Sequence, residues 1–130
     1  MAARESTIKL TQRAAEAIVD KLGRDLVAID LSEQMVLSEV FLIATGRNEK
    51  QVEAIADEVE RVLALAGEKP ARRERSDSWV LLDYSDLVVH IQSEDVRQYY
   101  MLDRLWNDCP RIELHLDLGP SESQSEEASR

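Results

Sequence analysis

Apolar and polar positions along the chain alternate between the helical period and the strand period, and the switches divide it into elements. From Thr7 to Leu22 the apolar residues Ile8, Ala14, Ala15, Ile18 and Leu22 repeat at helical spacing, with Gly23 as the stop. Leu26–Leu31 and Val40–Ala44 are short apolar, β-branched runs that predict a first and a second strand, the second ending at Thr45-Gly46. Residues 33–37 read as a connection between them. A long helix is predicted from Asn48 to Ala66, with Gly67 just past its end and Pro70 behind it. Its apolar residues Val52, Ile55, Ala56, Val59, Val62, Leu63 and Ala66 fall within about 120° at 100° per residue, so one face packs and the other meets water.

The densest signal is the stretch from Trp79 to Trp106. Trp79–Tyr84 and Leu87–Ile91 read as a hairpin, with Asp83-Tyr-Ser-Asp86 as its turn, because Asp and Ser bond their own backbone there. Pairing Asp83 with Asp86 places Val80, Leu82, Leu87, Val89 and Ile91 on one wholly apolar face, expected to be core. The same register sets Trp79 opposite His90 and Leu81 opposite Val88 on the other face. A helix follows, capped by Ser93, with Glu94 and Asp95 at the positive end of its dipole. As one continuous helix, its Val96, Tyr99, Tyr100, Leu102, Leu105 and Trp106 spread over about 240°. That arc is wider than one sheet can cover, which leaves aromatic surface for a second contact, from this chain or another.

Ala71–Arg75 reads as a polar edge strand, and its cluster Arg72, Arg73 and Arg75 as a solvated guard against edge pairing. Ile112, Leu114, Leu116 and Leu118 alternate with polar residues and predict a short late strand. The order of elements is that of a small single α/β domain, a mixed β-sheet flanked by helices, spanning residues 1–118. Residues 119–130 form an expected disordered acidic tail, without an apolar run.

Composition narrows the function. With 130 residues and 44% hydrophobic positions, one proper core is expected. The net charge of −10 argues against direct nucleic-acid readout or an anionic membrane, and suits a basic protein partner. The ten-residue stretch 121–130 carries −2 of it, leaving −8 on the rest. One cysteine, Cys109, permits no internal disulfide and fits a reducing cytoplasm. No apolar run is long enough for a bilayer, and Met1-Ala-Ala-Arg-Glu-Ser leads into a mixed helix rather than a secretory leader.

Candidate chemistry is sparse. Thr45-Gly46-Arg47-Asn48 leaves a strand and opens a helix, where free N–H groups can hold an anion. A single glycine is a weak signal, and a plain strand-to-helix turn capped by Asn48 is favoured. Asp83 and Asp86 can bracket a magnesium ion, but turn chemistry accounts for both and no third ligand is near in sequence. His90 and His115 lack zinc spacing, and Cys109 lacks an activating base. No catalytic residue, metal ligand or cofactor is expected.

The segments Phe41-Leu-Ile-Ala-Thr-Gly46, Gln51-Val-Glu-Ala-Ile-Ala-Asp-Glu-Val59, Trp79-Val-Leu-Leu-Asp-Tyr84, Val88-Val-His-Ile91 and Tyr100-Met-Leu-Asp-Arg-Leu-Trp106 resemble, in order and spacing, the ribosomal silencing factor (Iojap-like) family. The resemblance runs from about residue 10 to about residue 110. It departs at Ser38-Glu39, Arg75–Ser78, Ser85-Asp86 and Gln92. It implies a fold like that of nucleotidyltransferases without their catalytic signature. It implies a non-enzymatic repressor that binds the large ribosomal subunit through ribosomal protein L-fourteen, blocks the small subunit and lowers translation under nutrient limitation. The implied contact residues are Trp79, Leu81, Asp83, Tyr84, Tyr99, Tyr100 and Trp106. Assembly of the large subunit is the alternative role, and a nucleotidyltransferase-type enzyme a more distant one. A homodimer is a further use of the same surface.

Overall fold

The structure, a computed structural model, describes residues 3–34 and 38–116. Five strands form one mixed sheet in the order β1-β2-β5-β4-β3. They are β1 (Arg24–Asp30), β2 (Val40–Gly46), β3 (Arg72–Ser76), β4 (Trp79–Asp83) and β5 (Leu87–Ser93). Only the central β2–β5 pair is parallel; the other pairs are antiparallel. The helices are α1 (Glu5–Asp20), α2 (Glu49–Leu65), α3 (Glu94–Tyr100) and α4 (Leu102–Leu105). This is the small α/β domain that the alternation of periods predicts.

The two long helices cover one face of the sheet. Ala14, Ala15, Ala17 and Ile18 of α1 meet Val52, Ile55, Ala56, Val59 and Leu63 of α2 over Leu42, Val80, Leu82, Val89 and Ile91. The small alanines let the helices approach closely, and the β-branched and leucine side chains of the strands fill the layer beneath. Helix α2 matches its sequence signals well. Asn48 accepts from the Gln51 N–H at 2.9 Å, and Gly67 takes φ of +85° past the end, the left-handed stop that glycine allows at low cost. Of its predicted stripe, Val62 is half-buried and Ala66 exposed.

Several expectations are corrected. Helix α1 runs Glu5–Asp20 rather than Thr7–Leu22, and Leu22 lies outside it, 72% exposed. The hairpin pairs Trp79 with Gln92 and Leu81 with His90, two residues beyond the expected register. The reason is that the two-residue loop is Ser85-Asp86, one residue later than the Tyr84-Ser85 loop of the expected register. The Tyr84 N–H bonds the Leu87 carbonyl at 2.8 Å, and Ser85 turns the chain at φ of 73°. Because strand side chains repeat every two residues, the shift leaves each residue on its expected face.

The predicted continuous helix after the hairpin is broken. Met101 sits at φ of 50° and separates α3 from α4, so the arc of about 240° belonged to two differently aimed helices. Among the described residues the late alternating run forms no strand, and one bridge, Ile29 with Arg111, lies just before it. Its half-buried Ile112, Leu114 and Leu116 pack against the helix-covered core instead. Leu118 and the acidic tail lie outside the described residues, as do residues 35–37.

The two outer edges are treated differently. At β1 the Asp30 N–H donates to the Pro110 carbonyl at 2.9 Å and the Ile112 N–H to the Ala28 carbonyl at 2.8 Å. At β3 every residue is exposed, and the charged residues Arg72–Arg75 discourage further pairing. The basic cluster is not merely solvated. Arg73 bonds Asp57 and Glu53, each at 2.9 Å, and Arg75 bonds Glu53 at 3.0 Å, all across to α2.

Candidate functional site

The face of the sheet away from α1 and α2 has two halves. Over β1 and β2, residues from α4 onward cover Ile29, Leu31 and Ile43 with Leu102, Trp106 and Cys109. Over β4 the face is open, whereas Val88, His90 and Gln92 of β5 are buried beside it. There a hollow of about 350 Å³ is lined by Phe41, Leu81, Val88 and His90, with Ser38, Arg72, Asp83 and Ser85 around them. A second hollow of about 250 Å³ is lined by Glu74, Arg75, Ser76, Trp79 and Leu81. Leu81 borders both, so one continuous apolar surface with a polar rim runs across β4.

Strand alternation explains this surface. Val80 and Leu82 point into the helix-covered core, so Trp79, Leu81 and Asp83 point the other way and stay half-buried. On β2, Phe41 and Ile43 share that second face, while Val40, Leu42 and Ala44 face the helices. Phe41 was missed by sequence reasoning because β2 is apolar at both faces, and such a strand hides which side faces what.

His90 is the centre of the aromatic cluster. Its ring lies 4.7 Å from Phe41 and 5.9 Å from Trp79. Trp106 stands edge-on to Phe41 at 6.3 Å. Trp79 Nε1 donates to His90 Nδ1 at 3.3 Å. Burial pushes the His90 pKa down to about 4, because a charged imidazole would lose its hydration there. The imidazole is therefore neutral at physiological pH and serves as an aromatic wall.

The implied contact residues separate into groups. Trp79, Leu81 and Asp83 share the open face. Tyr99 on α3 is 81% exposed, and Leu105 and Met101 after it are 68% and 38% exposed. Trp106 is half-buried in the covered half. The side chain of Tyr100 lies outside the described residues. Tyr84 is corrected by the structure: it is buried in the helix-covered core, on the opposite side of the sheet from Trp79. It continues the Val80, Leu82 alternation, and burial raises its hydroxyl to about 12, with Glu60 and Glu68 adding to the effect.

The alternative chemistries find other uses for their residues. At the start of α2, the Arg47 N–H is taken by Gln51 Oε1 and the Gln51 N–H by Asn48, so the cap closes on itself. A Cβ on Gly46 would stand 2.8 Å from Val52 Cγ2, so this glycine serves helix–strand packing. Asp83 accepts from the Ser85 N–H at 2.8 Å and pairs with Arg72 at 3.2 Å, while Asp86 pairs with Arg4. Their like charges are thus answered by two arginines. Cys109 is buried, and desolvation together with Asp108 raises its thiol pKa, which makes it a poor nucleophile. Among the described residues no helix is long and apolar enough to cross a membrane.

Comparison with known proteins identifies the family and the fold. The family model described as "Ribosomal silencing factor during starvation" matches residues 4–130. The chain is 40% identical over 111 residues to a ribosomal silencing factor of Halalkalibacterium halodurans, spanning 84% of this chain and 95% of the relative. It is 39% identical over 103 residues to that of Bacillus subtilis, spanning 78% and 87%. A crystal structure of a Chromobacterium violaceum protein superposes with a TM-score of 0.73 at 32% identity, covering 85% of this chain and 93% of that one. A second, from Bacillus halodurans, gives 0.70 at 37% identity, covering 85% and 100%. The chain belongs to the ribosomal silencing factor family.

Proposed function

We propose that this protein acts in the cytoplasm as a translational repressor that binds the large ribosomal subunit through ribosomal protein L-fourteen. The open face of β4, together with the exposed Tyr99 of α3, is the docking surface. Bound there, the domain stands where the small subunit must join, and translation falls when nutrients are limiting. The observation that carries this reading is the continuous apolar surface across Trp79, Leu81, Phe41 and Val88 with a polar rim, the anatomy of a protein interface. The acidic balance of the chain supports a basic partner. A steric block asks nothing of the face beyond shape and affinity.

Co-sedimentation with isolated large subunits tests it. The expected result is co-migration with the large subunit and a smaller joined-ribosome peak when small subunits are added. Recovery only at the top of the gradient, or an undiminished joined peak, overturns it.

A further inference from the structure

The covered half of the second face is held down by a short segment with unusual properties. Residues 101–109 touch the sheet through Leu102, Trp106 and Cys109, which meet Ile29, Leu31 and Ile43. Most of their backbone bonds stay within the segment: Leu105 to Met101 at 3.2 Å, Asn107 to Arg104 at 3.1 Å and Cys109 to Trp106 at 3.0 Å. The bonds that leave it are the Met101 N–H to the Arg97 carbonyl at 3.0 Å and the Arg111 side chain to the Trp106 carbonyl at 3.3 Å. Both flanks are pinned. On one side Ser93 caps α3 at 3.4 Å and Arg97 donates to Thr45 Oγ1 at 2.8 Å. On the other, the Pro110 carbonyl and the Ile112 N–H bond to β1.

Between those pins the closed arrangement is imperfect. Trp106 Nε1, His90 Nε2 and both amide atoms of Gln92 are buried without a hydrogen-bond partner. All three side chains belong to this face, and each unmet group carries a standing cost. Met101, where the chain changes direction, is a non-glycine residue in the left-handed region at φ of 50°. On the outer side Leu105 is 68% and Met101 38% exposed, among the exposed polar residues Arg104, Asn107 and Asp108. A segment that is strained at its hinge, holds an unpartnered indole N–H and meets the sheet mainly through three side chains is held less firmly than the sheet it covers.

We propose that residues 101–109 form a strap that opens between Met101 and Pro110 while the sheet and the long helices stay folded. Opening uncovers Ile29 and Ile43 and frees the edge of Phe41 that Trp106 covers, extending the apolar surface from Leu81 across β2. It also gives Trp106 and its unpartnered neighbours access to water or to a partner's polar groups. The use of this larger surface for docking rests on the function proposed above; the opening itself does not.

Amide hydrogen exchange on the free protein tests the opening. The reporters are the bonded amides of Leu105, Asn107 and Cys109 in the strap, of Asp30 and Ile112 at the far pin, and of Leu82 in β4. Expected are strap amides exchanging at least 100-fold faster than Leu82, with Asp30 and Ile112 at least tenfold slower than the strap. The rate for the strap should stay nearly flat in low urea, because a local opening exposes little surface. Cys109, the one thiol, gives a second readout at pH 8. Trp106→Ala should speed its reaction with a bulky aromatic disulfide at least tenfold, with the urea midpoint by circular dichroism moved little. Two results overturn the proposal. One is strap amides and Cys109 reacting only through global unfolding, with its full urea slope. The other is Asp30 and Ile112 exchanging as fast as the strap, which means that the whole C-terminal segment peels away. Neither result bears on ribosome binding, which the gradient experiment judges separately.

Discussion

Trp79 reaches diagonally across the hairpin to His90: its indole N–H donates to Nδ1 at 3.3 Å, although the residue directly opposite Trp79 is Gln92. This bond fixes the tautomer. Nδ1 accepts, so the proton sits on Nε2, and the ring is neutral. The pair makes the open face partly self-supporting, since the indole is held by the strand beside it.

A pH dependence follows from the depressed pKa of His90. In the unfolded chain the imidazole binds a proton below about 6.5, whereas in the fold it does so only near 4. Between those values the unfolded state holds more protons, so stability is full above pH 6.5 and is lost as pH falls toward 4. The nominal size is about 3 kcal/mol, from about 1.4 kcal/mol per pKa unit. Urea midpoints at pH 7.5 and 4.5 check it. The fall should be smaller by most of this amount in His90→Phe, and an equal fall in both proteins would assign it to carboxylates instead.

The open face predicts a split between binding and folding. Tyr99→Ala removes a ring that is 81% exposed, so its melting temperature should move little. Trp79→Ala should cost somewhat more stability, because it also loses the bond to His90. Each should weaken large-subunit binding by about 2–4 kcal/mol, or roughly 30- to 1000-fold. Melting curves alongside gradient binding separate the effects. Normal binding by the folded fraction of both variants would move the partner surface elsewhere.

Tyr84 should behave in the opposite way. Tyr84→Phe deletes a buried hydroxyl that has no partner, so stability should be unchanged or higher by up to about 1 kcal/mol. Tyr84→Ala should cost about 3–5 kcal/mol through the cavity it leaves. Binding by folded Tyr84→Phe should equal that of the unsubstituted protein. A large loss of binding in Tyr84→Phe would show that the hydroxyl reaches the partner.

Gly67 offers a backbone test far from the face. Its φ of +85° ends α2, and a Cβ there would meet nothing within 4 Å. Gly67→Ala should therefore destabilise by about 1 kcal/mol through conformation alone, seen as a lower urea midpoint with an unchanged slope. Ribosome binding should be unaffected.

The sequence was most legible where a residue type has a single physical job. Asn48 and Gly67 bracket α2 because a cap needs an acceptor and a left-handed stop favours glycine. The hairpin faces were legible although the register was not, since a slip of two residues preserves which side each points to. Tyr84 was missed: expected in the turn and, by the family resemblance, on the contact surface, it instead continues the alternation of Val80 and Leu82 into the core. The break at Met101 left no trace, as methionine has no preference for φ of 50° and neither glycine nor proline marks the spot. The covering of β1 by residues 110–112 was also hidden, because it is made by backbone groups that every sequence carries. The candidate site was readable as surplus aromatic surface, but its boundary depends on where the chain after α3 lies, and periodicity does not encode that.

The parallel pairing of β2 with β5 sets the timing of folding. Val40 lies beside Leu87, and the chain between them holds α2, β3 and β4. The middle of the sheet thus depends on distant segments meeting, the kind of contact that slows folding because a long loop must close before it is rewarded. During synthesis, β2 waits exposed with both of its apolar faces until β5 has left the ribosome. A chain stopped before Leu87 has no centre to its sheet, so late truncations should yield aggregation-prone fragments rather than smaller working domains.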